Sequence, residues 1–233
     1  MQTSTIILIV LIVLLLVGYF WLMRVAEAAN VADWGNKTAN RIDGLTRLFM
    51  HKYHRLPGVF IDLPAEGPAI VVANHISGLD ALMLLASTSR PLHFLIAQEQ
   101  YNRRGFRWLF DLAECIPVEK TTRPDRALRA ALHALEDGKV IALFPFGRMH
   151  LDSEPDIKIK GGVAVLAARS GASIYPARIE STAVKKEVMQ AVIKRGQPEL
   201  FPLEPIRIDE NESPREVLFR LSNMLRKPIN EAS

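Results

Sequence analysis

A chain of 233 residues can build one sizeable domain with a segment to spare, and 49% hydrophobic with 23% charged residues suits a packed core. The net charge of +4 comes from 29 Lys and Arg dispersed among 25 Asp and Glu. With no dense basic stripe and no nucleic-acid motif, this argues against a nucleic-acid partner and leaves anionic membrane surfaces and phosphate-bearing substrates. A single cysteine, Cys115, excludes an intrachain disulfide and a zinc site built from several thiolates.

The first element is apolar throughout. Ile6 to Met23 runs 18 residues without a charge, a helix of about 27 Å against a hydrocarbon core of roughly 30 Å. Tyr19, Phe20 and Trp21 gather at its end, where interfacial aromatics sit. Ala26-Glu27-Ala28 offers the small residues of a signal-peptide cleavage site, but the basic n-region is missing, since no cation precedes Arg24. Arg24, Lys37, Arg41 and Arg47 all follow the run. The positive-inside rule then puts the rest of the chain on the cytoplasmic face, at the inner membrane in a bacterium. Residues 1–24 are expected to be a single-pass transmembrane anchor.

Residues 25–57 carry Trp34, Ile42, Leu45, Leu48, Phe49 and Tyr53 at helical spacing, with Lys37, Arg41, Arg47, Lys52 and Arg55 between them. This reads as an amphipathic helix broken near Gly35 and Gly44. It either packs on the domain that follows or lies in the membrane interface. His51 and His54 sit on it without a carboxylate or thiolate to complete a metal site, and are expected to be interfacial or solvated.

From Pro68 short apolar runs alternate with helical stretches. Strands are expected at 69–73, 93–97, 115–119, 140–144, 173–180 and 205–209. Helices are expected at 79–87, 106–113, 125–138, 162–171 and 213–227, the last with Ser213 as cap and Pro214 in its first turn. Val-, Ile- and Leu-rich strands alternating with helices define an α/β domain over 58–233 with a mostly parallel sheet.

The first strand runs into Asn74-His75, and a helix follows from about Gly78. Sites in open α/β sheets lie at such strand C-termini. Asp80, five residues on, can bond the Nδ1–H of His75, fix its tautomer and leave Nε2 as a general base. The alternative is a capping Asp80 beside a solvated loop histidine. No Gly-x-Ser-x-Gly nucleophile elbow occurs, which argues against a lipid hydrolase. Cys115 and His133 read as structural residues.

The segment Asn74-His75-Ile76-Ser77-Gly78-Leu79-Asp80 matches the Asn-His-x-x-x-x-Asp signature of the glycerolipid acyltransferases. It most closely resembles that of the 1-acylglycerol-3-phosphate (lysophosphatidic acid) acyltransferase family. Further blocks fall in that family's order: Ile116-Pro117-Val118-Glu119-Lys120, then Leu143-Phe144-Pro145-Phe146-Gly147, Lys160-Gly161-Gly162 and Ile174-Tyr175-Pro176-Ala177. The resemblance covers roughly residues 65–185. It implies that His75 deprotonates the hydroxyl of a lysophospholipid as that hydroxyl attacks an acyl thioester, and that Asp80 stabilises the imidazolium. It implies acyl-CoA or acyl-carrier protein as donor, with no metal and no organic cofactor. Substrate-binding residues would be Asn74, Lys120, Gly147, Arg148 and Lys160, with Lys158 a further cation; backbone N–H groups around Gly147 would hold the oxyanion.

The third block departs from the family's Phe-Pro-Glu-Gly-Thr-Arg-Ser: Phe146, Arg148, Met149 and His150 stand where Glu, Thr, Arg and Ser belong. Either Arg148 still reaches the phosphate, with His150 or Asp152 replacing lost polar groups, or the acceptor is another lysolipid such as a lyso-ornithine lipid. A chain that has kept the fold as a membrane scaffold is the remaining alternative.

Overall fold

A computed structural model describes residues 2–119, 124–151, 153–154, 158–180, 188–209 and 212–226. Helix α1 (Gln2–Ala29) is apolar and long enough to cross a bilayer. It continues past Arg24, so the expected division between residues 24 and 25 falls inside one helix. Asn36 caps α2 (Lys37–Leu48), its Oδ1 accepting from the N–H groups of Thr38 at 2.8 Å and Ala39 at 3.2 Å. A turn of π-helix, Phe49–Tyr53, extends α2.

The chain breaks at Gly35, whose φ is +67°, but not at Gly44, which lies within α2. A Cβ on Gly44 would stand 1.8 Å from the carbonyl oxygen of Ala26. The glycine therefore marks close helix packing rather than a turn. Below it, the buried pair Asp43 and Arg47 (2.6 Å) joins three segments. Asp43 accepts from Asn30 and from the Val31 amide, while Arg47 donates to the carbonyls of Ala86 and Thr88.

The elements that follow are β1 (Ala69–Ala73), α3 (Asp80–Ala86), β2 (Leu92–Ala97), α4 (Gln98–Tyr101), α5 (Arg107–Leu112), β3 (Ile116–Val118), α6 (Pro124–Glu136), β4 (Val140–Leu143), α7 (Gly162–Ser170), β5 (Ser173–Glu180), α8 (Met189–Ile193), β6 (Glu199–Pro202) and α9 (Pro214–Arg226). The sheet order is β3-β2-β4-β1-β5-β6, parallel except for β6, which is antiparallel to β5. The fold is the expected α/β one. Residues 205–209 do not form the sixth strand: only Ile206 pairs, with Ile174, and β6 lies a few residues earlier. Pro202 and Pro205 lack the N–H that would extend that pairing.

All five residues of β1 are buried, because helices cover both faces of the sheet. Met50, Leu63, Val71, Met83 and Phe94 form the core on one side, with Phe110 and Val192 packed against it. On the other side, Ile70, Ile141 and Ile174 meet α6, α7 and α9. Met50 and Leu56 are integral to the first core, so the amphipathic segment packs on the domain. His54 is fully buried with Nε2 on the carbonyl of Val192 at 3.2 Å, contrary to the interfacial or solvated position expected of it.

Candidate active site

In the parallel register Val72 of β1 lies beside Leu143 of β4 and Pro176 of β5. The first, third and fourth sequence blocks therefore emerge together at one edge of the sheet. Asn74 follows β1 directly and is buried; its Nδ2 donates to the Ile179 carbonyl at 2.9 Å and its Oδ1 accepts from the Ile179 N–H at 2.7 Å. The side-chain amide thus extends the ladder to β5, and Asn74 sets the position of His75 rather than turning to a substrate.

Asp80 opens α3 and is fully buried. Its Oδ2 accepts from His75 Nδ1 at 2.7 Å, from the Ile76 N–H at 2.6 Å and from the Ser77 N–H at 2.9 Å. A carboxylate held by two backbone amides cannot swing away from the imidazole. Nδ1 carries the proton in this pair, which leaves the Nε2 lone pair for a substrate proton. His75 is partly exposed and Phe144 stacks on its ring, with centroids 4.2 Å apart and planes 14° from parallel. Phe94 stands behind Phe144 at 6.1 Å. The imidazole plane is therefore set by an aromatic neighbour as well as by Asp80.

The third-block loop closes on this dyad. The His150 N–H donates to the His75 carbonyl at 2.8 Å, and the Gly147 N–H donates to the Phe144 carbonyl at 3.0 Å. Gly147 has φ +72°, and a Cβ there would meet Lys160 Nζ at 2.4 Å, so the Lys160 side chain lies across the glycine. The turn occupies Gly147's own N–H, which removes it from the expected oxyanion donors in this conformation. Arg148 is exposed and pairs with Glu154 at 3.5 Å, while Lys158 is exposed on the approach to Lys160. Lys120 and Asp152 lie outside the described residues. The strand before Lys120 is separated from β4 by β2, roughly 10 Å at ordinary interstrand spacing.

Phe146 points the other way. It is 3% exposed and belongs to the core under α7 and α9, against the His150 ring at 4.0 Å and with the Arg226 guanidinium 5.8 Å from its ring centre. Sequence reasoning missed Phe144 as the partner of His75, although its place beside the third block offered the clue. It also missed buried Arg178, which pairs with Glu180 at 3.2 Å and donates to the carbonyl of Leu225. Burial holds the Cys115 thiol up at about 11, so it is protonated and no nucleophile. Among the described residues no group of His, Cys, Asp and Glu could hold a metal ion.

The family model for acyltransferases matches residues 49–180, more than half of the chain. An N-acylphosphatidylethanolamine synthase of Arabidopsis thaliana is 29% identical over an alignment of 188 positions that covers 76% of this chain and 58% of that protein. The chain thus spans about three-fifths of that relative's length. The crystal structure of the 1-acyl-sn-glycerophosphate (LPA) acyltransferase PlsC from Thermotoga maritima is similar at 21% identity, with a TM-score of 0.64, over 84% of this chain and 81% of that one. This second likeness carries the fold. The matched span covers more than half of the chain, and the chain therefore belongs to the acyltransferase family.

Proposed function

We propose that the protein moves an acyl group from a thioester, acyl-CoA or acyl-carrier protein, to the free hydroxyl of a membrane lysophospholipid, with 1-acylglycerol-3-phosphate as the leading acceptor. The observation that carries this reading is the His75–Asp80 pair, held at 2.7 Å and backed by the amides of Ile76 and Ser77. His75 Nε2 takes the hydroxyl proton as that oxygen attacks the thioester carbonyl. The tetrahedral intermediate then expels the thiolate, breaking the C–S bond, and the imidazolium returns a proton to sulfur. Asp80 stabilises the imidazolium through both steps. In this reading α1 crosses the bilayer once and keeps the domain on the cytoplasmic face, beside an acceptor that never leaves the membrane.

The third block favours a second reading of the acceptor. Phe146, at the family's Glu position, faces the core, and Arg148, expected to reach the phosphate, pairs with Glu154. A lyso-ornithine lipid hydroxyl would need no such grip. The amine of phosphatidylethanolamine would not either, and that is the acceptor suggested by the name of the Arabidopsis relative.

The test offers purified full-length protein a labelled acyl thioester with each of these acceptors, for wild type and His75→Ala. Transfer to 1-acylglycerol-3-phosphate, lost in His75→Ala, is the expected result. Transfer to another acceptor alone supports the second reading. No transfer to any acceptor refutes the enzyme reading, and transfer that survives His75→Ala refutes the mechanism.

A further inference from the structure

The sheet edge that carries His75 also carries apolar and basic side chains that the chemistry above does not use. After β2 and α4, residues 102–108 read Asn-Arg-Arg-Gly-Phe-Arg-Trp, and every one of them is exposed. Phe106 is 42% and Trp108 58% exposed. The Trp108 Nε1–H donates to the Gly105 carbonyl at 2.9 Å, so its polar atom is satisfied within the turn and the rest of the indole is hydrocarbon. Arg103 lies over the Phe106 ring at 5.7 Å. At the far end of the same edge, beyond β5, α8 exposes Met189 and Ile193, and Lys194 and Arg195 follow.

These segments share one face of the domain. Phe110 and Val192 pack against the core of Met50, Met83 and Phe94, the face that also receives α2 and α3. Opposite, Phe219 is the only large apolar side chain that α6, α7 and α9 expose among the described residues. Helix α1 points to the same place. It runs antiparallel to α2, with Glu27 paired to Arg41 and Ala26 against Gly44. Its exposed part, Ile6 to Leu22, therefore extends in the direction in which α2 advances. That direction leads to Tyr53, whose hydroxyl donates to the Ile193 carbonyl at 2.6 Å.

We infer that this edge is a second membrane-contact surface, in addition to α1, that sets the mouth of the site down on an anionic bilayer. Phe106, Trp108, Met189 and Ile193 enter the boundary between headgroups and acyl chains, and Arg103, Arg104, Arg107 and Arg195 meet the lipid phosphates. Large apolar side chains interleaved with arginines fit that boundary, where each has a partner. The inference rests on the reading above only in taking the acceptor from the bilayer: it lets a lysolipid reach His75 by lateral diffusion.

The test uses the full chain in vesicles, with Trp21→Phe and Trp34→Phe leaving Trp108 as the sole indole. Brominated lipids in phosphatidylglycerol vesicles are expected to quench Trp108, and Arg103→Gln with Arg104→Gln and Arg107→Gln is expected to weaken that quenching. Trp108 that stays open to iodide and untouched by brominated lipid overturns the inference. The paired change Phe106→Ser and Trp108→Ser is expected to lower kcat/KM at least about tenfold for a long-chain acceptor in vesicles, given the area withdrawn from the lipid. It should leave kcat/KM for a short-chain monomeric acceptor nearly unchanged. Equal losses on both acceptors overturn it, as does a loss confined to carrier-protein donors, which would mark a protein-docking surface instead. If wild type transfers to no acceptor while Trp108 is quenched, the contact surface stands and the enzymatic reading fails.

Discussion

Replacing Asp80 by Asn separates the charge of the carboxylate from its geometry. Oδ2 faces three donors, His75 Nδ1 and the amides of Ile76 and Ser77. Only the amide oxygen of Asn can occupy that position, since its NH2 there would meet donors on every side. The variant therefore keeps the tautomer and orientation of His75 but loses the negative charge. Unit charges about 4 Å apart at an effective dielectric near 20 interact by about 4 kcal/mol, so the imidazolium formed in the transition state loses roughly that much. The expected fall in kcat is about a thousandfold. The NH2 replaces Oδ1, a buried atom with no hydrogen-bond partner among the described residues, and an unsatisfied buried donor costs about 1–3 kcal/mol of stability. At roughly 2–4 °C per kcal/mol for a domain of this size, thermal unfolding moves down but stays cooperative. Single-turnover transfer from a labelled thioester, at a temperature where both proteins are folded, measures the first quantity and calorimetry the second. A folded Asp80→Asn protein with kcat within tenfold of wild type would refute the view that Asp80 stabilises the imidazolium.

Four other changes probe separate parts of the structure. Phe144→Leu removes the ring stacked on His75, and at about 0.5–1.5 kcal/mol for such a contact kcat should fall about 2- to 10-fold with KM for the thioester unchanged. Gly44→Ala forces a methyl into the Ala26 carbonyl and should cost about 1–3 kcal/mol or more, read as a lower urea midpoint and faster proteolysis between α1 and α2. Arg47→Met leaves the Asp43 carboxylate buried without its partner and should cost about 3–5 kcal/mol, much of it recovered when Asp43→Leu is added. Burial lowers the pKa of His93, against the opposing charge of Glu114, so the folded protein holds it neutral while the unfolded chain protonates near its ordinary value of 6.5. Its stability contribution is thus full above pH 6.5 and is lost as pH falls through the lowered value; urea midpoints should decline over that acid range, and less steeply in His93→Phe.

Much of the fold was legible because most of its elements carry their own signal. Ala69–Ala73 is an unbroken apolar run because both faces of β1 are covered, and Gly171 ends α7 with φ +68° as a left-handed cap. Elements of four or five residues, such as β6 and α8, are too short for a period to register, and β6 is defined only by its pairing with β5. Gly44 looked like a helix breaker because glycine has two uses, and only the position of Ala26 shows which applies. His54 read as interfacial or solvated because no carboxylate or thiolate nearby in sequence completes a site with it, but its burial involves Val192, far away in the chain. At the site, the spacing of His75 and Asp80 is local and could be read directly. The engagement of Asn74 with Ile179 spans 105 residues and could not.

The altered third block acquires a mechanical meaning from the direction in which Phe146 points. A Glu at that position would have to bury its carboxylate in an apolar core or turn the loop outward to water. Phe146 instead fills space beneath α7 and α9 and packs on His150. Through its N–H, His150 holds the carbonyl of His75, and Phe144, two residues before Phe146, lies flat on the His75 ring. The same short loop thus grips His75 at its backbone and at its side chain while it is anchored in the core from behind. Under the proposed function, the third block in this chain would contribute chiefly by positioning the base. On the same proposal, phosphate recognition would rest on cations such as Lys160, which lies across Gly147, and the acceptor could change without disturbing the His75–Asp80 pair.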